Sequence, residues 1–144
     1  MIRTKAVAPD AAGAGNAAVL GFETHFPSAA SQVRKMRRKT SECVRSWGLG
    51  SLEDSVTLAV SELVTNAVLH GGGGTVGLRV TCSGGELRIE VTDGNPVPAR
   101  VRSASPSEES GRGLFLVAAV ADKCGVSPDG LRTWCAFRIS GGGA

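Results

Sequence analysis

The segment SELVTNAVLHG, residues 61–71, is the most informative part of this 144-residue sequence. On a helix, Glu62, Asn66 and His70 are four residues apart and therefore lie on one stripe of the surface. A carboxylate and a carboxamide one turn apart can serve one site, because the carboxylate can deprotonate a nucleophile and the amide oxygen can bind Mg²⁺. The same spacing also fits an ordinary helix whose polar residues border its core, so this segment alone leaves both interpretations open.

Two helices and a strand are predicted in the first half of the chain. The helix that contains residues 61–71 begins at Ser51 and runs to about His70, where a run of glycines ends it. Before it, residues 29–47 form a second helix, with Ser28 as the expected N-cap. Apolar and polar residues alternate over residues 19–26, which predicts a short half-buried strand.

Downstream of the glycines, the periodicity changes from helical to alternating. Residues 76–82 and 87–91 alternate on either side of a Ser-Gly-Gly turn and predict an antiparallel hairpin. Residues 94–110 have little apolar periodicity, and a loop of this length inside a compact domain is often functional. The remaining predicted elements are a buried helix at 114–120 and two strands at 124–126 and 133–139. This order predicts an α/β two-layer sandwich with a mixed, mainly antiparallel sheet and helices on one face.

The composition is that of one soluble globular domain. The sequence is 42% hydrophobic and 20% charged, as expected for such a domain, and it is long enough to bury a sizeable core. We assign the domain to residues 18–140, with a flexible tail over residues 1–17 and a frayed end at 141–144. No apolar stretch approaches the ~18 residues of a membrane helix, and the start lacks the apolar core of a signal peptide. The sequence therefore predicts a cytoplasmic protein with no membrane partner.

Cysteine spacing and net charge argue against several other classes of protein. Cys43, Cys82, Cys124 and Cys135 form no C-x-x-C pair, so a zinc ribbon and a thioredoxin-type site have no support. We expect mostly buried, reduced thiols in place of disulfides or metal ligands. The net charge of +3 does not by itself indicate nucleic-acid binding, although basic residues are concentrated in residues 34–39.

Two further segments carry groups suited to ligand binding. VTDGNP, residues 91–96, places Asp93 where a strand runs into a loop, and a carboxylate there can accept a hydrogen bond from an exocyclic amine such as that of adenine. GRGL, residues 111–114, leads from the long loop into a helix, whose N-terminal N–H groups can bind phosphate while Arg112 adds a charged contact. Taken singly, the first segment also fits an Asp-Gly turn and the second a plain loop-to-helix junction.

Together and in this order, the three segments resemble the GHKL ATPases, a superfamily that includes histidine kinases and gyrase-type ATPases. ELVTNAVLHG resembles the N box, VTDGNP the first glycine box and GRGL the later glycine box. The short chain and the His-Gly after the N box are most similar to the anti-sigma-factor serine kinases of the RsbW and SpoIIAB type. The resemblance covers about residues 19–140. It implies the Bergerat (GHKL ATPase) fold, the cofactors ATP and Mg²⁺, and an ATP lid between the two glycine boxes.

The resemblance also implies roles for individual residues. Glu62 would be the catalytic carboxylate that activates the acceptor hydroxyl, and Asn66 would hold Mg²⁺ against the phosphates. Asp93 would recognise the adenine amine with help from Thr133, and His70 would close the pocket without a catalytic role. The other ATP-binding positions implied by the resemblance are Gly94, Gly111, Arg112, Gly113 and Leu114.

The function implied by the resemblance is that of an anti-sigma factor and protein serine/threonine kinase. Such a protein binds a sigma factor and, with MgATP, phosphorylates an anti-sigma-factor antagonist, so that it regulates transcription by exchanging partners. The basic run at residues 34–39 would then contact an acidic partner surface, although an ordinary solvated helix face explains it as well. The identity of the partners and the formation of a homodimer stay open.

One position departs from the family pattern. The first glycine box usually reads D-x-G, whereas Asp93 is followed here by Gly94 and Asn95. Glycine at the second position allows close backbone approach to a nucleotide, and Asn tolerates positive φ better than most residues. The departure motivates an alternative hypothesis, a non-catalytic partner-binding regulator with a degenerate or weak nucleotide site. A third hypothesis, a nucleic-acid-binding domain, lacks the interleaved aromatics and helix-turn-helix punctuation of such domains.

Overall fold

The computed structural model describes residues 3–6, 20–71, 73–93 and 116–139. The helices are α1 (Ser31–Ser46), a 3₁₀ turn at Gly50–Leu52, α2 (Glu53–His70) and α3, which is described over residues 116–120. The strands are β1 (Arg3–Ala6), β2 (Leu20–Pro27), β3 (Thr75–Ser83), β4 (Glu86–Asp93), β5 (Lys123–Val126) and β6 (Arg132–Arg138).

The strands form one sheet in the order β1-β2-β3-β4-β6-β5, and each neighbouring pair is antiparallel. Among the described strands, sheet order departs from chain order at β6, which lies between β4 and β5. Gly84 and Gly85 both adopt positive φ in the tight turn between β3 and β4, a conformation that glycine reaches without steric cost. The predicted hairpin is confirmed, and the sheet, which was predicted to be mixed and mainly antiparallel, is antiparallel at every pairing that the structure describes.

The core lies between one face of the sheet and the helices. Phe22, Val80 and Ile89 stand side by side on adjacent strands and are fully buried, because alternate residues of a strand share a face. Helix α2 packs on β3, β4 and β6 and buries Val60 and Leu63, while α1 packs on α2 and β2. The result is the predicted α/β two-layer sandwich.

The structure corrects the predicted tail at residues 3–6. These residues form β1 and pair with residues 20–23 of β2. Without them β2 would end the sheet with unpaired backbone groups, and pairing satisfies those groups whatever the side chains are. The apolar pattern could not reveal the strand, because its sequence, RTKA, offers little apolar surface. The rest of the predicted tail and the frayed end at 141–144 lie outside the described residues.

Both helices begin later than predicted and without side-chain caps. Helix α1 begins at Ser31, and the expected N-cap, Ser28, instead donates its backbone N–H to the carbonyl of Gly74 at 2.8 Å. Helix α2 begins at Glu53, after the 3₁₀ turn, and carries Glu53 and Asp54 in its first turn. Negative charges near the N-terminus of a helix interact favourably with the positive end of its dipole. These two carboxylates therefore partly replace a side-chain cap.

A polar cluster joins the end of α1 to the start of α2. Glu53 accepts hydrogen bonds from Nε and Nη2 of Arg45, at 2.9 and 2.8 Å, and another from the hydroxyl of Ser41. The bonds from Arg45 are the main cause, and the bond from Ser41 the second, of a Glu53 pKa lowered to about 2. We call this group the Arg45–Glu53 cluster. It engages the Glu53 carboxylate on both oxygens.

None of the four cysteines, all of which lie in the described ranges, forms a disulfide bond. Cys43 and Cys135 are buried, Cys82 is half-buried, and Cys124 is exposed, so the expectation of mostly buried thiols is wrong for Cys124. Within the described ranges, no helix combines the length and the apolar character needed to span a membrane.

Candidate functional site

The polar stripe of α2 lies where the sequence placed it, beside the core. Glu62 and Asn66 are half-buried and His70 is exposed, while Leu63 and Ala67 on the adjoining face are buried. Because an α-helix advances about 1.5 Å per residue, Asn66 lies roughly 6 Å along the axis from Glu62. Both side chains therefore reach one region above the C-terminal half of α2.

The side-chain oxygen of Asn66 lacks a hydrogen-bond donor among the described residues. This atom, Oδ1, is buried. A buried amide oxygen without a partner costs free energy, typically about 1–3 kcal/mol, and such groups in native proteins usually have a functional or solvent partner. An amide oxygen is also a ligand that Mg²⁺ accepts. The atom predicted to hold Mg²⁺ is thus one of three buried side-chain atoms without a hydrogen-bond partner among the described residues; the other two are Thr40 Oγ1 and Arg79 Nε.

Asp93 ends β4 on the inner face of the sheet. It lies opposite Val76 of β3, and its backbone N–H donates to the carbonyl of Leu131 at 3.1 Å. The residue is 4% exposed, so its carboxylate is held beside the core and away from bulk water. Burying a carboxylate at a strand end costs free energy, and an Asp-Gly turn does not require that burial.

Gly71, the residue after α2, brings Asp93 against the helix. A Cβ built on Gly71 would lie 3.1 Å from Cβ and 3.3 Å from Cγ of Asp93, and 2.3 Å from the carbonyl oxygen of Ala67. Only glycine therefore allows the helix end and this strand end to meet so closely. Sequence patterns indicated Gly71 only as the end of the helix and as part of the His-Gly after the N box, because helix ends commonly carry glycine whatever they pack against.

Thr133 stands on β6 beside the end of β4. Its cross-strand partner is Val91, so it shares the inner face with Asp93 as a diagonal neighbour. It is 7% exposed, and together with Asp93 it forms a buried polar corner at one end of a mostly apolar face. The structure therefore brings Asp93, Thr133 and the end of α2 together.

A comparison with models of protein families shows which family this chain is related to. The family model described as a histidine kinase-like ATPase domain matches residues 26–137, most of the chain. The chain belongs to this family. The matched residues include all predicted site residues, and the match supports ATP binding by a domain of GHKL type. A comparison with curated proteins gave no significant match.

The described residues of this histidine kinase-like ATPase domain fit the ATP and Mg²⁺ that such domains generally bind. The unsatisfied oxygen of Asn66 suits a cation, and the carboxylate of Asp93 at the glycine-lined contact suits a hydrogen-bond donor. The remaining predicted positions lie outside the described residues, so their roles stay predictions; they are Gly94, Gly111, Arg112, Gly113 and Leu114.

Proposed function

We propose that this histidine kinase-like ATPase domain is an anti-sigma factor and a protein serine/threonine kinase that phosphorylates an anti-sigma-factor antagonist. The observation that carries the nucleotide half is the oxygen of Asn66 on the helix that also carries Glu62, because this oxygen is buried and has no hydrogen-bond partner among the described residues. The kinase half is motivated by the similarity of the N box and its His-Gly ending to the serine-kinase branch of the superfamily.

In this proposal each residue of the site has one task. Asp93 accepts a hydrogen bond from the exocyclic amine of adenine, and Thr133 lines the same corner. Asn66 contributes an oxygen ligand to Mg²⁺, which when bound neutralises charge on the phosphates. Glu62 accepts the proton of the serine or threonine hydroxyl, so that the oxygen can attack the terminal phosphate. Positioning and charge neutralisation supply most of the rate enhancement in such a transfer.

The partner surface we propose is the basic side of α1. Arg34, Arg37 and Arg38 line an open pocket of about 380 Å³, whose other lining residues are Ser41, Glu53 and Thr57. The one carboxylate of that lining already binds Arg45, and within the described residues none of the three arginines forms an ion pair. An acidic segment of the sigma factor or the antagonist would supply the missing charge.

Calorimetric titration with MgATP and a transfer assay with labelled ATP test the proposal. We expect Asp93→Asn and Asn66→Ala to weaken MgATP binding by at least about tenfold, the effect of losing one charge-assisted contact. Thr65→Ala, a half-buried neighbour on α2, is the matched control and should bind as the wild type does. Glu62→Gln should retain binding but lower the rate of antagonist phosphorylation by about 100-fold or more.

The same assays separate the alternative function. A wild type that binds MgATP and an antagonist but transfers no phosphate would favour the non-catalytic regulator that Asn95 motivates. Failure to bind MgATP at all would contradict the nucleotide site itself. Phosphate transfer that persists in Glu62→Gln would remove that residue from the catalytic role.

A further inference from the structure

Cys124 and Cys135 are direct cross-strand neighbours in the ladder between β5 and β6. Residues that face each other across an antiparallel pair point to the same side of the sheet. Farther along the ladder, Ser127 donates its backbone N–H to the carbonyl of Arg132 at 2.8 Å, which makes those two residues a hydrogen-bonded pair. Hydrogen-bonded and non-hydrogen-bonded pairs alternate, so the cysteines, three positions away, form a non-hydrogen-bonded pair.

That position suits a disulfide bond. The Cα atoms of a non-hydrogen-bonded pair are typically about 4.5 Å apart, and disulfides are found at separations of roughly 4.4–6.8 Å. Two cysteines at such a position can form a disulfide without a change in strand pairing. Neither of the other cysteines has this geometry, because Cys43 lies on α1 and Cys82 faces Leu20 and Leu87 across its ladders.

The two thiols differ in accessibility. Cys124 is exposed on the edge strand β5, whereas Cys135 is fully buried on β6. Burial, with a smaller contribution from the neighbouring Cys124, raises the pKa of Cys135 to about 12. Cys135 therefore stays protonated and shielded from small oxidants, since the thiolate is the reactive form. An oxidant reaches the pair through Cys124.

We propose that Cys124 and Cys135 are a redox modification site in which a hydroperoxide drives formation of an intramolecular disulfide. The Cys124 thiolate attacks one oxygen of the hydroperoxide, the O–O bond breaks, and Cys124 becomes a sulfenic acid as an alkoxide or hydroxide leaves. The Cys135 sulfur then displaces the sulfenic oxygen, which leaves as water with the Cys135 proton. The peroxide is reduced and the two thiols are oxidised together, and a cellular thiol can reverse the bond by exchange.

The proposed linkage joins the edge strand to the strand that carries Thr133. Strand β5 follows α3, and β6 holds Thr133 two residues before Cys135. A disulfide would fix these two strands across the turn at residues 127–130 and would replace a buried thiol by a neutral bond. The burial that disfavours the Cys135 thiolate therefore presents no obstacle to the oxidised product.

The test treats the reduced full-length protein with hydrogen peroxide and maps its cysteines by mass spectrometry without reduction. We expect a peptide linked through Cys124 and Cys135, with intact protein that has lost two hydrogen atoms. Cys82→Ser is the matched control and should form the linkage as the wild type does, whereas Cys124→Ser should not. Dithiothreitol should return the wild type to its starting mass.

Cys135→Ala should accumulate the sulfenic acid at Cys124, which a dimedone probe labels. Because Cys135 is in the core, this substitution can also lower stability. Cys124→Ser changes an exposed residue, so it tests the proposal even if Cys135→Ala does not fold. The proposal is overturned if wild-type Cys124 ends as a stable sulfenic acid or as a bond between two chains while Cys135 remains a thiol. It is also overturned if Cys124→Ser loses two hydrogen atoms to an intramolecular bond as the wild type does.

Discussion

The contact between Gly71 and Asp93 is where single atoms set the shape of the candidate site. The helix end and the strand end approach so closely that a methyl group would have no room between them. Because the backbone of Ala67 and the buried Asp93 form the walls of this contact, neither can move aside at little cost. The absence of one carbon atom thus fixes where the carboxylate lies relative to α2.

Gly71→Ala should therefore destabilise the protein and displace Asp93. We expect a loss of about 1–3 kcal/mol in the free energy of unfolding, the usual effect of overpacking, measured by urea denaturation. The matched control is Gly50→Ala, because a Cβ at Gly50 meets no atom within 4 Å. Equal stability of the two variants would contradict the close contact.

Residue chemistry explains how much of the site the sequence could predict. The stripe of Glu62 and Asn66 follows from helical spacing alone, and its half-buried position agrees with that expectation. Two other features depend on which elements pack together: the lack of a hydrogen-bond partner for Asn66 Oδ1 among the described residues, and the close contact at Gly71. Neither depends on local sequence, so spacing could suggest the site residues but could not place them against Asp93.

At the scale of elements, the Arg45–Glu53 cluster links the end of α1 to the start of α2, which has no side-chain cap. The side chain of Glu53 is 25% exposed and that of Arg45 is 65% exposed, so the effect of the pair on stability is modest and open to screening by salt. Its pKa is lowered to about 2 by Arg45 and then by Ser41. A lowered pKa means that the folded state binds the charged form better than the unfolded state does.

Glu53→Gln should lower the melting temperature at neutral pH, and this difference should depend on pH. The stabilisation is complete above the pKa of an unfolded glutamate, about 4.3, and is lost as the pH falls from there toward about 2. The melting curves of wild type and variant should therefore converge over that interval. Glu42→Gln, a change on the exposed side of α1, should have little effect at neutral pH. A Glu53→Gln difference that stays constant down to the lowest pH would contradict the coupling.

Elements differ in how far their own sequence determines them. The hairpin of β3 and β4 follows from strict alternation around two glycines, which is a local signal. Local sequence does not determine strand β1, which depends on an open sheet edge. It also does not determine where α1 and α2 begin, because tertiary contacts decide those positions. Sequence patterns therefore predicted the elements with a buried face and missed the one held mainly by backbone pairing.

At the scale of the whole molecule, the basic side of α1 lies apart from the polar corner that we propose binds adenine. The net charge is only +3, so the positive field is local to this helix and not a property of the entire surface. A partner could therefore dock on α1 and the first turns of α2, while the nucleotide site lies at the C-terminal half of α2 and at the ends of β4 and β6.

Arg37→Ala should weaken binding of the antagonist by roughly three- to fivefold at low salt, the equivalent of an exposed ion pair of up to about 1 kcal/mol. The difference should shrink as salt is added, because exposed charges are screened. Lys35→Ala is the matched control on the same helix, since Lys35 is exposed but does not line the pocket. Equal losses in both variants would assign the effect to net charge, and preferential binding of duplex DNA would contradict a protein partner.

The place of β6 in the sheet has a consequence for how the chain folds during synthesis. This strand lies between β4 and β5 although it follows both in the chain, so β4 must wait for residues 132–138 before its second edge is covered. Contacts between distant segments form slowly because a long loop must close first. On the ribosome, the β4 edge of the growing sheet stays open until residues 132–138 have been made and can pair with it. We therefore expect the corner formed by Asp93 and Thr133 to be the last part of the candidate site to assemble.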